Sequence, residues 1–152
     1  MVSATRYRVP RHTAEHVNRR IQQEMEDRIE YYAEHRDEID ERLAALDREW
    51  DIERTLEANA AGFAFTGVVL GAFVDRRFLV LPAAVTAFLM QHAVQRWCPP
   101  LPVFRRRGVR TATEIETERY ALKALRGDFD STRSGDARGG RLVRKLLEAI
   151  RR

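Results

Sequence analysis

Apolar and polar positions are segregated along this chain into two uncharged runs and long charged flanks. From Ala58 to Val74 the sequence reads ANAAGFAFTGVVLGAFV, and from Phe78 to Gln95 it reads FLVLPAAVTAFLMQHAVQ. Only Asp75, Arg76 and Arg77 lie between them. Each run is about 17–18 residues, the short end of what crosses a hydrocarbon core near 30 Å thick. The pattern predicts a transmembrane helical hairpin over 56–97, with spans of about 57–74 and 78–96. Leu56 and Trp97 extend the runs into the interfaces, and short spans are accommodated by bilayer thinning and snorkelling arginines. The competing reading is a soluble protein that buries both helices. That needs a thick apolar jacket, which the charged flanks do not supply unless the chain oligomerises.

The flanks are helical in pattern, so the fold class expected is all-α. After a flexible 1–11, residues 12–55 form an amphipathic cytoplasmic helix without Gly or Pro from His12 to Trp50. A heptad register places Met25, Tyr32, Ile39 and Leu46 at d and Ile29, Arg36, Leu43 and Trp50 at a. Arg42 would then meet Asp47, and His35 would meet Asp40, of a parallel partner. A helix folding back on its own chain accounts for the same stripe. Residues 98–112 are a Pro/Arg-rich juxtamembrane segment, extended at Cys98-Pro99-Pro100-Leu101-Pro102. A helix over 113–126 opens on a Thr113/Glu116 capping box and aligns Ile115, Leu122 and Leu125. Gly127 ends it, 127–140 is a flexible linker, and 141–152 is a basic amphipathic helix suited to a membrane surface or a protein partner.

Charge sets the expected orientation. Residues 1–57 hold 10 Lys/Arg against 15 Asp/Glu, whereas 96–152 hold 15 against 7. Arginines before the first run and Arg96, Arg105, Arg106 and Arg107 after the second outnumber the two in the turn. The positive-inside bias therefore puts both termini in the cytoplasm. Those arginines, with Trp97, are the expected interfacial anchors. Arg6, Arg8 and Arg11 lead into more charge, so the start does not read as a signal peptide. Within the first run, Gly67 and Gly71 form a GxxxG, and Gly62 with Ala58 continues the small-residue face. That face serves a close helix contact, within the hairpin or between protomers of a homodimer.

Candidate chemistry is sparse. His12-Thr13-Ala14-Glu15-His16 matches an inverted zinc-peptidase pattern, but such enzymes need a third ligand from a large surrounding fold. Arg126-Gly127-Asp128 is a coincidental adhesion tripeptide. Basic residues without interleaved aromatics argue against nucleic acid. The one cysteine, Cys98, excludes an internal disulfide and multi-cysteine metal sites. Beside Arg96 its thiolate is favoured, which makes it a candidate thiol. His92, with Gln91, is an ionisable group at the edge of the second run. No enzyme activity, metal or cofactor is expected.

Ile52-Glu53-Arg54 leading into an Ala/Gly-rich span, a brief turn, a second span and then Trp97-Cys98-Pro99 resembles the YgaP-like transmembrane domain family of bacterial inner-membrane proteins. The resemblance covers about residues 50–110. It implies a two-helix hairpin that can dimerise in the bacterial inner membrane, and transfers no catalytic residue. Some members carry a rhodanese domain, which is missing here. The function expected is a non-enzymatic membrane anchor or scaffold with a cytoplasmic protein partner. The alternatives are a sulfur relay through Cys98 and a small oligomeric transporter component.

Overall fold

The computed structural model describes residues 8–95 and 99–129, with only the backbone of Arg8. Every regular element among them is helical: α1 Arg8–Arg11, α2 Glu15–Glu34, α3 Ile39–Arg48, α4 Ile52–Phe73, α5 Val80–Gln95, α6 Leu101–Arg106 and α7 Ala112–Arg126. Single 3-10 turns occupy Arg36–Glu38 and Arg76–Leu79. The chain forms two compact units. One contains the described residues up to Gln23 together with Trp50–Ile115; the other contains Glu24–Glu49 and the described residues from Glu116 onward.

In the first unit, Asp51 stands in extended conformation before α4 and accepts the Arg54 N–H at 2.7 Å, an N-cap that fixes where α4 begins. Val9, Ile52, Leu56 and Leu101 make a closed apolar cluster, with Phe104 and Val109 against it. The Ile52 N–H donates to Arg110 O at 2.8 Å. The start of α4 and the segment following α5 are thereby joined. α4 and α5 lie against each other, connected by a turn in which Asp75 accepts the Arg77 N–H at 2.8 Å.

Gly67 and Gly71 explain how closely the two helices approach. A Cβ at Gly67 would sit 2.5 Å from Pro82 Cδ, and one at Gly71 would sit 2.6 Å from Leu79 Cδ2. Both glycines are buried, and they are spent on contact within the chain. Gly62 has open space around it. The outer surface of the pair is apolar and uncovered: α5 buries no residue, and Phe73 is 84% exposed, Phe65 72%, Val80 71% and Met90 70%.

The second unit corrects the picture of one uninterrupted N-terminal helix. α2 stops at Glu34, and the chain turns through Arg36–Glu38 before α3. The His35 ring, through Nδ1, lies 2.9 Å from Tyr31 O near the helix end, so the turn forms without Gly or Pro. It lets Ile39, Leu43 and Leu46 become buried alongside Met25 and Leu122. Three of the four charged groups assigned to pairs between copies, Arg42, Asp47 and Asp40, take other partners within one chain. Arg42 Nε bonds Glu118 Oε1 at 2.7 Å, Asp47 pairs with Arg119, and Asp40 pairs with Arg126. Glu118 is fully buried and also takes Arg28 at 3.3–3.4 Å. A buried carboxylate is tolerated here because two guanidiniums replace its water.

The segment after the second apolar run also departs from expectation. Pro100 is helical rather than extended, at φ −70° and ψ −23°, and α6 follows with Pro102 in its first turn. Proline is accommodated there because first-turn N–H groups need no intrahelical acceptor. Full burial of Leu101 rewards the helix. α6 closes on Gly108 at φ +86°, and α7 on Gly127 at φ +92°. α7 starts earlier than expected: the Thr111 N–H donates to Glu114 Oε2 at 2.7 Å and the Glu114 N–H to Thr111 Oγ1 at 3.2 Å. The reciprocal capping box is thus Thr111/Glu114, not Thr113/Glu116.

Candidate functional site

Two features of the first unit stand out, an arginine knot and an apolar crevice beside it. Arg105 was expected to face lipid headgroups with Arg106 and Arg107. It is instead fully buried. Its guanidinium grips Glu114 with two bonds, Nη1 to Oε2 at 2.7 Å and Nη2 to Oε1 at 2.8 Å. Nη1 also donates to Val109 O at 3.1 Å, Nη2 to Asn18 Oδ1 at 3.0 Å, and Nε to Thr13 Oγ1 at 3.3 Å. All five N–H donors of the side chain are therefore used. Thr13 and Asn18 in turn donate to Val9 O at 2.9 Å and Pro10 O at 2.8 Å. The knot thus locks α6 to α1, to the start of α2 and to the cap of α7.

Electrostatics of the knot are self-consistent. Burial raises the Glu114 carboxyl, but the Arg105 guanidinium and the Thr111 N–H outweigh it and hold the group below the ordinary 4.5. Glu114 stays ionised, and Arg105 keeps its counter-charge. Arg106 and Arg107 remain on the surface.

With α6 held this way, Pro100 and Phe104 close one end of a crevice of about 120 Å³. Its α4 wall is Leu56, Asn59, Ala60 and Phe63. Its α5 wall is Val85, Phe88, Leu89 and His92. The lining is almost wholly carbon, with Asn59 and His92 its polar members; the Asn59 amide donates to Thr55 O at 2.8 Å. Phe63 and Phe88 are 58% and 44% exposed, so the crevice is rimmed by aromatic rings. His92 is half-buried, as is its neighbour Gln91.

Other predicted positions fall as follows. His12, Glu15 and His16 are exposed, and among the described residues no three metal-ligating side chains converge. Arg96, Trp97 and Cys98 lie outside the described residues, as do 130–152, which include the basic amphipathic segment. Trp50, assigned above to a coiled-coil seam, is exposed with the Arg54 guanidinium 4.4 Å over its ring. Its place one residue before the Asp51 cap was the available sign that it flanks the apolar helix and does not belong to the arm. Comparisons with family models, characterised proteins and solved structures find no match to this chain.

Proposed function

We propose that this is a small integral membrane protein in which α4 and α5 form a transmembrane hairpin that anchors a helical cytoplasmic unit. The observation that carries the proposal is the uncovered apolar surface of α4 and α5. A core helix of a soluble protein is covered by its own chain, whereas these two present Phe65, Phe73, Val80 and Met90 outward. Soluble monomers rarely expose an apolar patch of that extent. The apolar lengths, Ala58–Phe73 and Phe78–Gln95, give roughly 24–27 Å of helix rise. That is a modest mismatch to a core of about 30 Å.

The joined flanks of the two helices support a hairpin with both flanks on one side, and the arginine bias favours the cytoplasm for that side. Exposed Trp50 under Arg54 suits the headgroup boundary, where amphipathic rings collect. The bacterial inner membrane is the location that the YgaP-like resemblance implies. Within this reading the chain is a non-enzymatic scaffold, and the folded arm displays acidic side chains to a cytoplasmic protein. Self-association uses the open Ala58–Gly62 face, since Gly67 and Gly71 are engaged within the chain. Carbonate-washed membranes from cells making the full chain test the anchor. The protein is expected in the pellet, released by detergent alone, with reporters fused at either end active in the cytoplasm. Quantitative release by carbonate would overturn it.

A further inference from the structure

We infer that the crevice between α4, α5 and α6 holds one acyl chain of an anionic phospholipid from the cytoplasmic leaflet, with the lipid's phosphate on Arg107. The inference rests on the membrane reading above. Under it, the crevice lies at the cytoplasmic ends of both spans, where the upper acyl chain and glycerol of that leaflet stand. Its volume of about 120 Å³ accepts part of a flexible hydrocarbon chain and excludes a helix, whose diameter with side chains is about 10–12 Å. Its lining is almost wholly carbon, so an apolar guest is favoured by removing that surface from water.

Three observations identify the occupant. The crevice has an aromatic rim, half-exposed Phe63 and Phe88, of the kind that borders a lateral opening for a chain arriving from the bilayer. Its polar groups, Asn59 and His92, are few and suit the ester level of a lipid. Pro100 and Arg107 cap α6 at its two ends and Phe104 lies within it, so the short segment that supplies two crevice residues also ends on an exposed guanidinium. Arg105 cannot serve, being buried on Glu114. Arginine matches phosphate with paired donors, which makes the site selective for a net negative headgroup. The knot thereby acquires a purpose: it fixes the α6 face that meets the lipid.

The test is native mass spectrometry of the full-length chain in mild detergent, titrated with phosphatidylglycerol or phosphatidylcholine carrying the same acyl chains. One lipid per chain is expected, with phosphatidylglycerol preferred about fivefold, the factor for about 1 kcal/mol per basic residue near anionic lipid. Ala60→Phe, which puts a ring in the crevice, is expected to cut retention of both lipids at least tenfold. Ala87→Phe, on the opposite face of α5, leaves retention unchanged. Arg107→Gln keeps one lipid but removes the headgroup preference; its side chain is exposed, so the fold is untouched and the arm stands even if Ala60→Phe misfolds. Equal retention by Ala60→Phe and wild type, equal loss in Ala60→Phe and Ala87→Phe, or an unchanged preference in Arg107→Gln overturns the inference. Carbonate washing of the membranes from which each chain is extracted keeps the two readings apart. A wild-type chain that stays in membranes but retains no lipid defeats the crevice alone, and one washed free defeats the membrane reading.

Discussion

Arg105 is fully buried and Glu114 partly so, and each charge is compensated by the other. Removing one partner of such a pair leaves an unpaired charge in a low-dielectric site and costs about 3–5 kcal/mol. Arg105→Lys keeps the charge but loses the planar fork that bonds both Glu114 oxygens, so it is expected to lower stability by about 2–3 kcal/mol. Chemical unfolding of the full chain in mild detergent checks this; a loss under about 0.5 kcal/mol would show that the fork is dispensable. Because the Glu114 carboxyl is held below 4.5, its ionised form contributes stability above that pH, and the contribution is lost as pH falls through the depressed value. The unfolding midpoint of wild type should therefore drop more steeply below pH 4.5 than that of Glu114→Gln. Parallel curves would sink the assignment. Arg105 was misread from sequence because it sits in the run Arg105-Arg106-Arg107, which looks like one headgroup-binding patch. Two overlapping Thr-x-x-Glu matches follow it, and periodicity alone could not say which capped the helix. The three-dimensional need of Arg105 for a carboxylate selects Glu114.

At the scale of helices, the two glycines of the GxxxG differ in what they face. Gly67 looks onto the rigid Pro82 ring and the Phe78 carbonyl, whereas Gly71 looks onto the flexible end of Leu79. Gly67→Ala is expected to loosen the α4–α5 pair by about 1–3 kcal/mol, as overpacking does. Gly71→Ala is relieved by a rotation of Leu79, and Gly62→Ala meets nothing. Thermal unfolding in detergent should rank them in that order, and a larger effect at Gly62 than at Gly67 would contradict the packing described. The existence of both apolar helices was readable from their uncharged length. The break at Arg36–Glu38 was not, because no Gly or Pro marks it. The heptad stripe was real as a stripe, but Ile39, Leu43 and Leu46 use it against their own chain. A periodic pattern specifies that a face is buried, and the acidic partners of Arg119 and Arg126 decide against what.

Over the whole molecule, neither unit is built from one continuous stretch. Each draws residues from before α4 and from after α5. Arg105 reaches Thr13 across 92 positions of sequence, and Arg28 reaches Glu118 across 90. At the usual ~5–20 residues per second of synthesis, the arm waits about 5–20 s for the residues that complete it. During that interval Val17, Ile21, Met25 and Leu43 have no finished core to enter, although α4 and α5 have already been made. The last step of the arm's folding is therefore a delivery: α6 and α7 are made after α4 and α5 and bring the residues that complete each unit. A ribosome stalled soon after Gln95 would expose an unclosed, protease-sensitive arm, so quality control at this protein begins with whether its second flank was ever made.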